Sequence, residues 1–210
     1  MSRGDINLKR KLLLVSLIIS LFIVEVGAQT IYTVKPGDSM WKISVKYETG
    51  ISEILSKNPQ VKNPSLIYPG QKLTIPGPSS VKAFEDEVVK LVNVERSKRG
   101  LQTLKSNWEI ARVARYKSQD MINKKYFSHT SPTYGSPFKM METFGIRFSS
   151  AGETIAYGQR TPKEVMNGWM NSPGHKANIL SPSYTNIGCG LAKTSSGVCY
   201  WTQMFTKPLK

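Results

Sequence analysis

The sequence predicts an α+β chain: a small strand–helix–helix–strand unit, then a larger unit of helices and closing strands. Three observations carry this. Residues 31–76 hold two short β-prone runs that enclose two helical segments with apolar stripes. Residues 84–122 hold two further helical stripes, the second opened by a capping signal. Residues 187–205 hold two β-prone runs around the turn Thr194-Ser195-Ser196-Gly197. With 210 residues the chain is long enough for either unit to bury a core.

In chain order, Arg3, Lys9, Arg10 and Lys11 precede the apolar run 12–24, LLLVSLIISLFIV. A basic start and a 13-residue apolar run are the pattern of a secretory signal, with small residues at Val26-Gly27-Ala28 before Gln29. The run is short against the ~20 residues that span a bilayer, so residues 1–28 are read as a cleaved signal and no stable membrane anchor is expected afterwards. Next, 31–34 is a strand ended by Pro36-Gly37. Asp38 or Ser39 caps a first helix, with Trp41 and Val45 on its apolar face. Thr49-Gly50 breaks it, and Ile51, Ile54 and Leu55 stripe a second helix that Asn58-Pro59 stops, because the residue before Pro is pushed out of the α region. Tyr68-Pro69-Gly70-Gln71 turns the chain into a closing strand, 72–75.

Gly77-Pro78-Ser79-Ser80 marks a boundary, and 77–83 is read as a linker. Phe84, Val88, Leu91 and Val92 stripe a helix that ends near Arg99-Gly100. Ser106-Asn107-Trp108-Glu109 reads as a capping box opening a helix with Ala111, Ala114, Ser118, Met121 and Ile122. Thr161-Pro162-Lys163-Glu164 opens another, carrying Val165 and Trp169, which Ser172-Pro173-Gly174 breaks. The chain has two histidines. His129 lies in YFSHTSP after the 106–123 segment, His175 lies just past the Ser-Pro-Gly break, and Glu153 sits between them in AGETIA. Two imidazoles and a carboxylate, each expected beside a turn or element end, make a candidate site. Cys189 and Cys199 flank the closing turn, and a hairpin in an exported protein would favour a disulfide between them.

Two family resemblances follow from these residues. YTVKPGDSMWKIS and LIYPGQKLTIP stand where a LysM domain has its opening and closing signatures, across residues 29–76. That module is a βααβ fold that binds N-acetylglucosamine-containing glycans. The resemblance implies a sugar groove between Gly37, Asp38, Ser39 and Met40 on one loop and Ile67, Tyr68 and Pro69 on the other. FSHTSP, GE followed by IA, W-x-x-SPGH-x-x-NIL and the closing IGCGLA…YWTQMF resemble a bacterial CAP domain over 84–207. That resemblance implies an α-β-α sandwich around a mostly antiparallel sheet. It also implies a cleft built on His129, Glu153 and His175, with Ser172 standing where many members have a second acid.

Three chemistries suit that set: a Zn²⁺ site with an open position, general acid–base hydrolysis of a peptide or glycan, or a hydrogen-bond network that orders the cleft. The net charge is +15; residues 1–28 hold four Lys/Arg and two Asp/Glu, so their removal leaves +13. So basic a surface suits a polyanionic neighbour such as anionic wall polymers. Nucleic-acid motifs, a phosphate loop, a zinc helix of the HExxH type and a GxSxG elbow are missing. The resulting expectation is a secreted protein at the cell wall or a spore surface, docking on peptidoglycan or chitin-type glycan, with a wall hydrolase as the alternative.

Overall fold

The computed structural model describes residues 29–77 and 80–209; the expected signal, 1–28, lies outside them. The N-terminal unit is β1 (Thr30–Thr33), α1 (Met40–Lys46), α2 (Ile51–Ser56) and β2 (Lys72–Ile75), in the expected order. β1 and β2 pair antiparallel, Thr30 opposite Ile75 and Thr33 opposite Lys72. Of the two candidate caps, Ser39 holds α1, its Oγ accepting from Lys42 N at 3.2 Å. Asp38 does other work, accepting from Tyr32 OH at 2.6 Å and Lys35 N at 2.8 Å. Buried Asn58 ties α2 to β2: its Nδ2 donates to Ile54 O and Thr74 O, and its Oδ1 accepts from Thr74 N.

One expected face is corrected. α1 buries Met40, Ile43 and Ser44, while Trp41 is 49% exposed and Val45 also faces out. Trp41 instead stands 6.4 Å, ring to ring, from Trp108 of the second unit, near the Ser52 Oγ–Tyr116 OH contact at 2.8 Å.

The C-terminal unit runs α3 (Ser80–Ser97), β3 (Lys105–Ser106), α4 (Trp108–Asn123), α5 (Pro137–Thr143), β4 (Phe148–Tyr157), α6 (Pro162–Met170), α7 (Pro173–Ile179), β5 (Asn186–Lys193) and β6 (Cys199–Pro208). The sheet order is β3-β5-β6-β4, antiparallel except for the short β3–β5 pair. Helices cover both faces, as expected. On one, Val88, Val92, Val165, Trp169 and Ile179 of α3, α6 and α7 pack with Ile187, Leu191, Trp201 and Phe205. On the other, Ile110, Val113 and Ala114 of α4 and Met140 and Met141 of α5 pack with Met204.

Three further expectations shift. α3 already begins at Ser80, inside the segment read as linker. α4 is capped by Asn107, whose Oδ1 accepts from Glu109 N and Ile110 N, because Ser106 is spent in β3. The Cys189–Cys199 disulfide is also corrected: both thiols are free and buried. The hairpin forms, but its register sets Cys199 opposite Lys193 and Cys189 opposite Gln203. Four residues of offset at ~3.3 Å each separate the cysteines by about 13 Å, too far for a bond.

Candidate functional site

The site gathers at β4, which the sheet order leaves on an outer edge. Glu153 lies in the middle of this ten-residue strand, not at an element end as expected. It points to the α4 face together with its partner Met204, and is only 5% exposed. Its Oε1 lies 2.7 Å from His129 Nδ1, while its Oε2 is buried without a hydrogen-bond partner among the described residues. Burial pushes the Glu153 carboxyl above its ordinary range, against the opposing pull of the His129 bond and the Lys117 charge. The His129 side chain is half exposed, so the pair joins a dry carboxyl to an imidazole that solvent can reach.

His129 sits in the loop after α4, and α4 fixes that loop through two polar residues on its buried face. Fully buried Lys117 donates from Nζ to His129 O at 2.7 Å and to Tyr126 OH at 3.1 Å. Asp120 accepts from Tyr126 OH at 2.6 Å, Ser131 Oγ at 2.7 Å and Thr133 Oγ1 at 2.8 Å. Burial works to raise the Asp120 carboxyl, but these three donors win and hold it low. Burial lowers the Lys117 ammonium, with Glu153 and Asp120 opposing. Sequence reasoning passed over both residues. Their signal was available: positions 117 and 120 fall within the helical stripe of Ile110, Val113, Ala114 and Met121, where charge is costly unless paired.

His175 is not in a loop past a broken helix. The Ser172-Pro173 step ends α6 but starts α7, and His175 occupies that helix's first turn. It lines a groove of about 300 Å³ with Phe127, Tyr157, Gln159 and Ser172 at the end of β4. Burial, then the nearby His129, lowers its pKa below the ordinary histidine value. The surrounding motif has a structural logic of its own. Tyr184 OH donates to Ala151 O at 3.2 Å, Asn178 Nδ2 to Glu153 O at 3.0 Å and Trp169 Nε1 to Ile155 O at 3.2 Å. Side chains thus close alternate carbonyls of an edge strand that would otherwise stay unpaired. Gly152 is glycine because a Cβ there would come 2.5 Å from Tyr184 OH and 3.0 Å from Asn178 Oδ1.

The three-ligand Zn²⁺ set expected from the sequence is not found grouped among the described residues. Among the described residues no three His, Cys, Asp or Glu side chains are grouped so as to hold a metal ion. The Nδ1 of His129 is engaged by Glu153, and His175 stands on α7, near enough to His129 to feel its charge. Nor is any serine hydroxyl bonded to either histidine among the described residues. Ser128 Oγ accepts from Thr130 N, Ser181 Oγ accepts from Ser183 N, and Ser172 makes no capping bond.

In the N-terminal unit, the two expected groove loops are brought side by side. Gly70 N donates to Val34 O at 2.8 Å and Val34 N to Gln71 O at 2.9 Å. Gly37 and Gly70 hold positive φ, +82° and +88°, which the two turns require. Tyr68 stands 64% exposed, whereas the Met40 side chain is in the core and Asp38 is tied to Tyr32. Met40 therefore offers a groove its backbone only.

The sequence pattern of the Cysteine-rich secretory protein family (CAP) matches residues 89–205, and that of the LysM domain matches 32–76. The chain belongs to the CAP family. Its CAP domain and its LysM domain together have the layered α+β architecture described above. Among curated relatives, YkwD of Bacillus subtilis is 54% identical over 132 residues, covering 63% of this chain and 50% of that protein. The membrane protein YlbC of the same organism is 38% identical, covering 59% of this chain and 34% of that one. An extracellular protein containing an SCP domain from Bacillus anthracis superposes with a TM-score of 0.58 at 31% identity, covering 61% of this chain and 42% of the other. The chain thus spans half or less of the length of these relatives. No described helix is long and apolar enough to cross a membrane.

Proposed function

We propose that this protein is exported, docks on peptidoglycan through its LysM groove, and presents the CAP cleft to a polar component of the wall. The observation that carries the cleft half is the buried Glu153 carboxyl, one oxygen on the half-exposed His129 and the other without a partner among the described residues. A buried acceptor left unpaired costs about 1–3 kcal/mol, and a donor from a bound ligand removes that cost. The docking half is supported by the match to LysM and by the adjacency of its two loops around exposed Tyr68.

Wall hydrolysis is the second reading. It is favoured by one feature: a carboxyl raised by burial and bonded to an accessible imidazole is the arrangement a general acid needs. Purified sacculi separate these readings. Tyr68→Ala should lower retention about tenfold while leaving the fold intact, since its ring is largely in water. Equal retention would sink the docking assignment. Soluble muropeptides released by wild type and lost in His129→Ala would establish hydrolysis; no release from either leaves binding as the role of the cleft. Immunolocalisation on vegetative cells and spores decides which wall the protein occupies.

A further inference from the structure

We propose that the aromatic-rimmed groove at the end of β4 is a second carbohydrate subsite, taking one neutral N-acetylated hexosamine unit of a glycan strand. Two rings, Phe127 and Tyr157, line its mouth, and a third, Tyr200, packs behind them. Phe127 follows α4, Tyr157 ends β4 and Tyr200 opens β6, with centroids 5.0 Å apart for Phe127–Tyr157 and 5.7 Å for Tyr157–Tyr200. Phe127 and Tyr157 are 45% and 54% exposed. Single exposed apolar residues are ordinary, but a contiguous cluster at the mouth of a groove marks a contact surface.

The groove itself names the ligand chemistry. Its wall holds Gln159, whose Oε1 is buried without a hydrogen-bond partner among the described residues. The Gln159 backbone is pinned, its carbonyl accepting from Trp201 Nε1 at 2.8 Å, so the chain there is held in place. An occupant that supplies a hydrogen-bond donor to this oxygen, beside a flat apolar face, removes the cost of leaving it unpaired. A pyranose ring does both, with C–H bonds directed at aromatic rings and hydroxyl or acetamide N–H groups around its edge. An acyl chain has no donor for Gln159. A carboxylated or phosphorylated ligand would want a cation; no Lys or Arg lines the groove, and burial and the nearby His129 hold its His175 toward the neutral form. At about 300 Å³ the groove is at the small end of ligand pockets, which suits a single sugar unit. This subsite rests on the wall-associated reading for its source of glycan, yet it lies in the other domain from the LysM groove.

The test is a titration of isotope-labelled chain 29–210 with tetra-N-acetylchitotetraose, followed by NMR. The Gln159 side-chain amide and the Tyr157 and Tyr200 ring signals should shift and saturate. Tyr157→Ala with Tyr200→Ala should weaken that response about tenfold while the LysM signals respond as before. Gln159→Ala is the second variant should the double substitution unfold the domain. LysM shifts without CAP shifts would overturn the subsite and leave docking intact. CAP shifts without LysM shifts would do the reverse. CAP shifts produced by a free stem peptide and not by the oligosaccharide would also overturn the proposal, making the groove a peptide site.

Discussion

Glu153 is held in its buried position at a thermodynamic cost, and that cost has a measurable sign. Its folded pKa is raised by burial, so between the ordinary carboxylate value and the raised one the native state binds a proton that the unfolded state does not. Stability must then fall as pH climbs through that window, with the full cost present above it. Glu153→Gln keeps the shape and an acceptor for His129 while removing the charge. The variant should melt about 2–4 °C above wild type at pH 7, near 1 kcal/mol for a chain of this size, and lose the slope. Thermal scans from pH 4 to 8 check this, and a variant that melts lower at pH 7 would show that the carboxylate stabilises the fold. Glu153, His129 and His175 stood out in the sequence as candidates because each sits in a recognisable motif, and the structure joins the first two by a hydrogen bond. Their surroundings were not legible there: which strand position faces α4, and that Lys117 anchors the His129 carbonyl, depend on packing across elements distant in the chain.

Among the elements, capping chemistry was the most legible feature and strand register the least. Thr161 caps α6 as its sequence indicates, its Oγ1 accepting from Glu164 N at 3.2 Å, since this signal lies within four residues. The cysteine pairing failed because a hairpin's turn residues do not say which residues stand opposite. Trp41 failed because a helical stripe cannot tell a core face from one turned toward a second domain. The glycines of β5 were passed over for the same reason, although they set how closely α4 approaches the sheet. A Cβ on Gly190 would collide with the backbone of Ala114 and Arg115, and one on Gly188 with that of Ile110 and Ala111. Backbone cannot yield as a side-chain tip can. Gly190→Ala should therefore cost about 1–3 kcal/mol or more in urea unfolding. A change within about 0.5 kcal/mol, as for surface substitutions, would mean the helix can stand off the sheet freely.

At the scale of the whole molecule, two forces of different range should hold this protein on a wall. The net charge, +15 for the full chain and +13 without residues 1–28, acts over a Debye length, about 10 Å at 0.1 M salt and 3 Å at 1 M, and needs only a polyanion nearby. The proposed LysM groove would act through backbone groups and exposed Tyr68 at contact distance, where added salt screens little. Wild-type protein on sacculi that retain their anionic polymers should therefore stay bound at 1 M salt. Tyr68→Ala should bind at low salt and elute as salt rises, because charge alone remains to it. On sacculi stripped of anionic polymers, the low-salt binding of Tyr68→Ala should also vanish, while wild type is still retained. Elution of both proteins at one salt concentration would mean that charge does all the holding and the groove none. Wild-type retention that survives salt only on unstripped sacculi would place the specific contact on the anionic polymer, not on the glycan strand.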